Sequence, residues 1–147
     1  MNESHKNSFM KFKGGGYFCS QIVFATLGEE LGIDRKQALR LATGFGAGIA
    51  YQGDICGAVS GAIMAIGLKH GNDKPSEIDL RNKAIYFTQE LIERIKARHG
   101  CYTCKGLTGI DYINVEGGIK LYYEQGIAEK ICIPVIIDCI EIVEEIW

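Results

Sequence analysis

The stretch from Cys56 to His70 limits the architecture of this chain more than any other. It opens Cys56-Gly57-Ala58-Val59-Ser60-Gly61 and continues through Ala62, Ile63, Met64, Ala65, Ile66 and Leu68. A helix that is apolar on nearly every side has no solvent face, so it must be wrapped by other elements. Gly57, Gly61 and Ala65 recur on one face as a ridge of small residues, which lets a second backbone come close. The spacing predicts this central helix over about 54–70, capped by Asp54 and closed by Gly71.

The surrounding punctuation is helical too. A first helix is expected from Cys19 to Leu31, with Gly32 at its C-terminal cap, and a second from Asp34 to Thr43, where Asp34 and Gln37 form a capping pair. A glycine-rich loop, Gly44-Phe45-Gly46-Ala47-Gly48 and on to Gly53, leads to the central helix. After Pro75, Ser76 and Asp79 read as caps for a long helix. Its stripe is Ala84, Phe87, Leu91 and Ile95, and Glu90 and Arg94 form an i,i+4 pair on the wet side. Gly100 closes that helix. A less regular segment spans Cys101 to Gly118, a short helix lies near Ile119 to Gln125, and a last one runs from Ile133 to Ile146 with Pro134 in its first turn. The isoleucine-rich run from Ile131 to Ile137 is the one place where a strand could intrude. The expectation is an all-α, compact bundle of about five to six helices around the central one.

Composition narrows the function classes. The formal net charge of -2, from 16 Lys and Arg against 18 Asp and Glu, gives no electrostatic case for nucleic acid. The apolar run after Asp54 is about fourteen residues, whereas a membrane span needs about twenty, so no membrane insertion is expected. Residues 1–13 are polar, carry Glu3, Lys6, Lys11 and Lys13, and lack the apolar core of a secretory signal. They read as a flexible lead-in to one domain over residues 14–147, and the expected compartment is the cytoplasm. No Ser/His/Asp set or acid–base pair emerges. His5, His70 and His99 are isolated, and Asp111 and Glu116 read as solvated turn residues.

Against this background six cysteines stand out. Thiols stay reduced in the cytoplasm, so a disulfide framework is not the natural reading. Cys19 and Cys56 each open a predicted helix, where free N–H groups and the positive dipole end favour a thiolate. Cys101 and Cys104 form a C-x-x-C pair that could chelate one metal or close a reversible disulfide. Lys105, not His, follows Cys104, which excludes c-type haem attachment there. Cys132 and Cys139 would share a face if both are helical, and Cys139, among Ile136, Ile140 and Val143, reads as core filler. A single cysteine is often only a small apolar residue. Helix-start and C-x-x-C positions are poor places for filler, which makes a redox or metal centre the leading idea.

Gly16-Tyr17-Phe18-Cys19-Ser20-Gln21, the loop Gly44-Phe45-Gly46, then Cys56-Gly57-Ala58-Val59-Ser60-Gly61, Cys104-Lys105-Gly106-Leu107-Thr108-Gly109-Ile110-Asp111 and the late Cys132 together resemble the C-GCAxxG-C-C family of redox-active proteins. That family is in turn similar to the iron–sulfur-like domain of split-Soret cytochrome c. The resemblance implies a cysteine-bound iron centre, such as a [2Fe–2S] cluster, on Cys19, Cys56, Cys104 and Cys132. It leaves Cys101 as an optional neighbour and Cys139 as an extra. In this chain Ile49-Ala50-Tyr51-Gln52-Gly53 stands where the family often has a Met-Gly-Arg-like segment, and Pro134 falls one residue later than the usual Cys-Pro. The expected function is electron transfer or redox sensing with a partner redox protein. The alternatives are a thiol–disulfide oxidoreductase and a zinc-binding domain. Whether the site forms within one chain or across a homodimer is open at this level.

Overall fold

The computed structural model describes residues 1–111 and 115–147. Helices follow one another as α1 (Glu3–Phe12), α2 (Cys19–Glu30), α3 (Arg35–Ala42), α4 (Gly57–His70), α5 (Ile78–His99), α6 (Cys104–Thr108), α7 (Val115–Glu124) and α8 (Ile133–Ile146). Among the described residues there is no β-strand, only an isolated antiparallel bridge between Ile55 and Thr103. The all-α expectation holds, and the isoleucine-rich end is helical. Among the described residues no helix is long and apolar enough to cross a membrane.

The central helix sits where its sequence demands. α4 packs against α2, α5 and α8, and Ala58, Val59, Ala62, Ala65 and Ile66 are fully buried. Its small-residue ridge meets the backbone of α2. A Cβ at Gly57 would lie 3.0 Å from the Ser20 nitrogen, and one at Gly61 would lie 2.7 Å from the Ser20 carbonyl oxygen. Two helices can approach this closely only if one of them offers no side chain at the crossing. On α5, Leu91 and Ile95 are fully buried, while Ala84 and Phe87 pack against the core from its edge. The Glu90–Arg94 pair forms at 2.8 Å, and Arg94 reaches on to Glu145 at 2.7 Å.

Three local expectations change. Asp54 does not cap α4: its side chain accepts the Ile55 N–H at 2.9 Å, and Cys56 occupies the cap position. The reason lies in the backbone, because the Asp54 carbonyl accepts the Cys104 N–H at 2.7 Å and holds the chain extended through Ile55. Ser76 and Asp79 do not cap α5 either. Glu77 folds back instead to accept the N–H groups of Asp73 and Lys74, at 3.0 and 3.4 Å. The glycine-rich loop is more ordered than a loop. A 3-10 turn over Thr43–Phe45 runs into five consecutive residues of positive φ, Ala47 to Tyr51. Of the less regular segment expected between Cys101 and Gly118, residues 112–114 lie outside the described residues.

Where a flexible polar lead-in was expected, residues Glu3–Phe12 form α1, with Phe9, Phe12 and His5 buried. The His5 Nδ1 lies 2.6 Å from Glu144, and its Nε2 is 2.9 Å from Glu30 without hydrogen-bond alignment. Ser8 donates to Glu29 at 2.5 Å. Burial works against the charge of Glu29 and of Glu144. The bonds from Ser8 and Arg35 in one case, and from the Asn2 N–H and His5 in the other, nevertheless hold both carboxyls below their ordinary range. A depressed carboxylate contributes stability above its unfolded pKa and loses it as pH falls through the folded one. Acidification below about pH 5 is therefore expected to loosen α1 first. Amide hydrogen exchange across α1 should speed up before that of α4, and Glu144→Gln should flatten the effect.

Candidate redox site

Each cysteine of interest is placed by a different device. Cys19 is the first residue of α2. The start of that helix is tied to α3: Ser20 donates to the Ala42 carbonyl at 2.8 Å, and the Gln21 amide donates to the Leu39 carbonyl at 3.0 Å. Gln21 also accepts the Phe18 N–H at 3.0 Å. Cys56 is the N-cap of α4, beside the N–H groups of Ala58 and Val59 at the helix start. Cys104 opens α6, capped by Thr103, whose hydroxyl accepts the Gly106 N–H at 3.1 Å. Cys132 closes a π-helical turn, Ala128–Cys132, that feeds directly into α8. Such turns rotate one side chain off the regular helical register and recur at functional sites.

The Ile55–Thr103 bridge clips two of these segments together. The Cys56 N–H donates to the Tyr102 carbonyl at 2.9 Å, and the Cys104 N–H to the Asp54 carbonyl at 2.7 Å. Gly48 closes the other side, where a Cβ would fall 2.7 Å from the Cys104 Cβ and 2.6 Å from the Asp54 nitrogen. Its φ of +68° is also one that side chains resist. Cys104 is buried with Ile110 and Ile127, and Ala47, Tyr51, Tyr122 and Cys132 pack against this small cluster.

The sulfurs share one electrostatic neighbourhood. Cys19 is hydrogen-bonded to Cys132, and this bond, then burial, then the charges of Cys56, Cys132 and Cys104, push its thiol well above the usual range. Cys132 moves the other way, held down by the bond to Cys19 and, against burial, by one from Tyr122. Burial pushes Cys56 up to about 11, although the Ala58 and Val59 N–H groups pull it down. The expectation that a helix start would favour thiolates at Cys19 and Cys56 is thus overturned. The N–H donors are present at Cys56, but removing a charge from water costs more than they return.

Among the described residues no disulfide joins any of the cysteines. Among the described residues no three His, Cys, Asp or Glu side chains gather closely enough to hold a metal ion. The arrangement is a hydrogen-bonded pair, Cys19 and Cys132, with Cys56 and Cys104 in reach of its field. Cys101 does not act on Cys19, although its charge reaches Cys56. It is partly exposed, with its sulfur 3.2 Å from the Thr103 hydroxyl, which holds its thiol below the ordinary range. Cys139 is fully buried in α8, as core filler should be.

A family model described as putative redox-active protein (C_GCAxxG_C_C) matches residues 17–146. The chain belongs to this family. No curated protein and no solved structure matches it. For a member of the C-GCAxxG-C-C family, the four cysteines assigned by resemblance arise from α2, α4, α6 and the π turn before α8. The remaining polar candidates fall away from them. His99 pairs with Asp138 at 2.7 Å, and His70 packs edge-on against Phe87 with ring centroids 5.0 Å apart. Lys105 and Asp111 meet at the surface at 3.5 Å. Sequence reasoning missed Tyr122 and Thr103. A tyrosine in a short amphipathic helix carries no signal of where its hydroxyl will end.

Proposed function

We propose that this redox-active protein carries electrons, or senses redox state, through an iron–sulfur cluster held by Cys19, Cys56, Cys104 and Cys132. The observation that carries this reading is the common field of the four thiols around Cys19, reached from four separate segments. The donor set suits the group, since thiolates are the usual ligands of such clusters. A cluster spreads its ligands over two or more irons, so the thiols need not all reach one ion. When bound, it supplies one-electron transfer to and from a partner redox protein. The chain contributes burial around Cys104 and Cys56 and the free N–H groups at the start of α4, which together set how readily negative charge builds up.

Anaerobic reconstitution with iron and sulfide should give a coloured protein with stoichiometric iron and acid-labile sulfide. Protein that stays colourless and takes up neither sinks this reading.

The Cys19–Cys132 hydrogen bond favours a second reading, thiol–disulfide exchange. The two thiols would lose two protons and two electrons to an acceptor disulfide, which leaves as two thiols. Equilibration of metal-free protein with oxidised glutathione, followed by peptide mapping, should then find a Cys19–Cys132 disulfide. Exclusive modification of other cysteines rejects it.

A further inference from the structure

Helix α2 starts on a residue that cannot cap it. Phe18 holds the N-cap position, and a phenylalanine has no oxygen to offer the first N–H groups. Its ring is used elsewhere. It lies over Gly46, where any Cβ would overlap it, and stands edge-on to Tyr51 with centroids 5.8 Å apart. The boundary beside Cys19 is held instead by the Gln21 amide. Its oxygen accepts the Phe18 N–H at 3.0 Å, and its nitrogen donates to the Leu39 carbonyl at 3.0 Å and to the Thr43 hydroxyl at 3.1 Å. Thr43 in turn donates to the Leu39 carbonyl at 2.9 Å. A donor facing one end and acceptors facing the other suit a primary amide, which fixes its orientation.

Thr43 opens the 3-10 turn that runs into Ala47–Tyr51, and Gly48 of that segment lies against Cys104. The Gln21–Thr43 bond therefore joins the start of α2, which carries Cys19, to the segment that walls Cys104. Cys132 packs against the same Cys104 cluster. We propose that Gln21, acting with Thr43, is a positioning residue that holds Cys19 in register with the Cys104 cluster and so pre-organises the thiol set. This rests on the reading of the cysteines as a redox centre, but not on which of the two chemistries they perform. Without the tie, Cys19 spends part of its time out of place, and apparent affinity falls with the fraction of chains still competent. Loss of a hydrogen bond of ordinary net strength lowers that fraction about three- to tenfold.

Four variants separate positioning from stability. The double variant Gln21→Glu with Thr43→Val keeps an oxygen for the Phe18 N–H, and so the boundary of α2, but removes the tie. Gln21→Met removes it without adding charge. Thr43→Ser keeps the hydroxyl and should behave as wild type. Ile95→Val, at a fully buried position of α5, loosens the core without touching the tie. Two measurements read the outcome. One is the iron kept by anaerobically reconstituted protein against a ferrous chelator at fixed concentration. The other is the Cys19–Cys132 disulfide formed by metal-free protein in glutathione buffers, quantified by mass spectrometry. The double variant and Gln21→Met should lose about three- to tenfold in whichever equilibrium wild type shows, while Thr43→Ser and Ile95→Val stay at its value. A double variant at the wild-type value, a loss in it that Gln21→Met does not share, or an equal loss in Ile95→Val overturns the proposal alone. A wild-type protein that keeps no iron and forms no disulfide overturns the redox reading and this proposal with it.

Discussion

Gly61→Val is expected to lower the melting temperature by roughly 10 °C, for a cost of about 3 kcal/mol or more. The added Cβ would stand 2.7 Å from the Ser20 carbonyl oxygen, 3.1 Å from the Phe24 nitrogen and 3.1 Å from the Val23 Cβ. Two of these are backbone atoms of α2, so no side chain can swing aside, and the helices must separate. Gly67 lies in the same helix with nothing within 4 Å of an added Cβ. Gly67→Ala should therefore stabilise by about 0.5–1 kcal/mol through helix propensity. Thermal melts followed by circular dichroism give both signs in one series. Equal losses from the two substitutions would remove the ridge-and-backbone account of the α2–α4 contact. Because Ser20 follows Cys19 and Gly57 follows Cys56, the same separation would pull those two thiols apart.

The second large effect concerns the site itself. Cys19→Ser should reduce iron retained after reconstitution at least about tenfold, since a hydroxyl does not replace a soft thiolate ligand. Cys101→Ser, at a partly exposed thiol that does not act on Cys19, should retain iron and colour as wild type does. Cys139→Ala should cost about 1 kcal/mol of stability through a small cavity in the core and leave the colour unchanged. Iron analysis and visible absorbance on the three variants make the comparison. Colour lost with Cys101→Ser but kept with Cys19→Ser would reassign the ligand set.

Much of this fold could be read from residue patterns. The central helix announced itself by being apolar all round, and Gly57, Gly61 and Ala65 marked its contact face. The caps were less legible. Asp54 and Ser76 have good capping chemistry, yet Asp54 is engaged by the Cys104 segment and Glu77 reaches back before Ser76 can act. Both outcomes depend on partners distant in sequence or on a competing longer side chain, which local spacing does not encode. The cysteines were visible as a group, and their assignment came from resemblance. Their protonation was not legible, because a helix start and a buried pocket act in opposite directions on the same thiol. Helix α1 was missed because its buried face rests on few residues, His5, Ser8, Phe9 and Phe12, two of them polar.

The five residues from Ala47 to Tyr51 all have positive φ, and only one of them, Gly48, is glycine. Each of the other four pays about 1–2 kcal/mol for a conformation that L-residues avoid. Their sum rivals the entire net stability of an ordinary domain, about 5–15 kcal/mol. A lineage selected only for robustness would fill such a turn with glycine or asparagine. This one keeps Ala47 and Tyr51 against the Cys104 cluster and sets the Tyr51 ring edge-on to Phe18, the neighbour of Cys19. The segment thus marks where ruggedness has been traded for the walls of the thiol pocket, and where an engineer seeking a hardier scaffold would erode the site first.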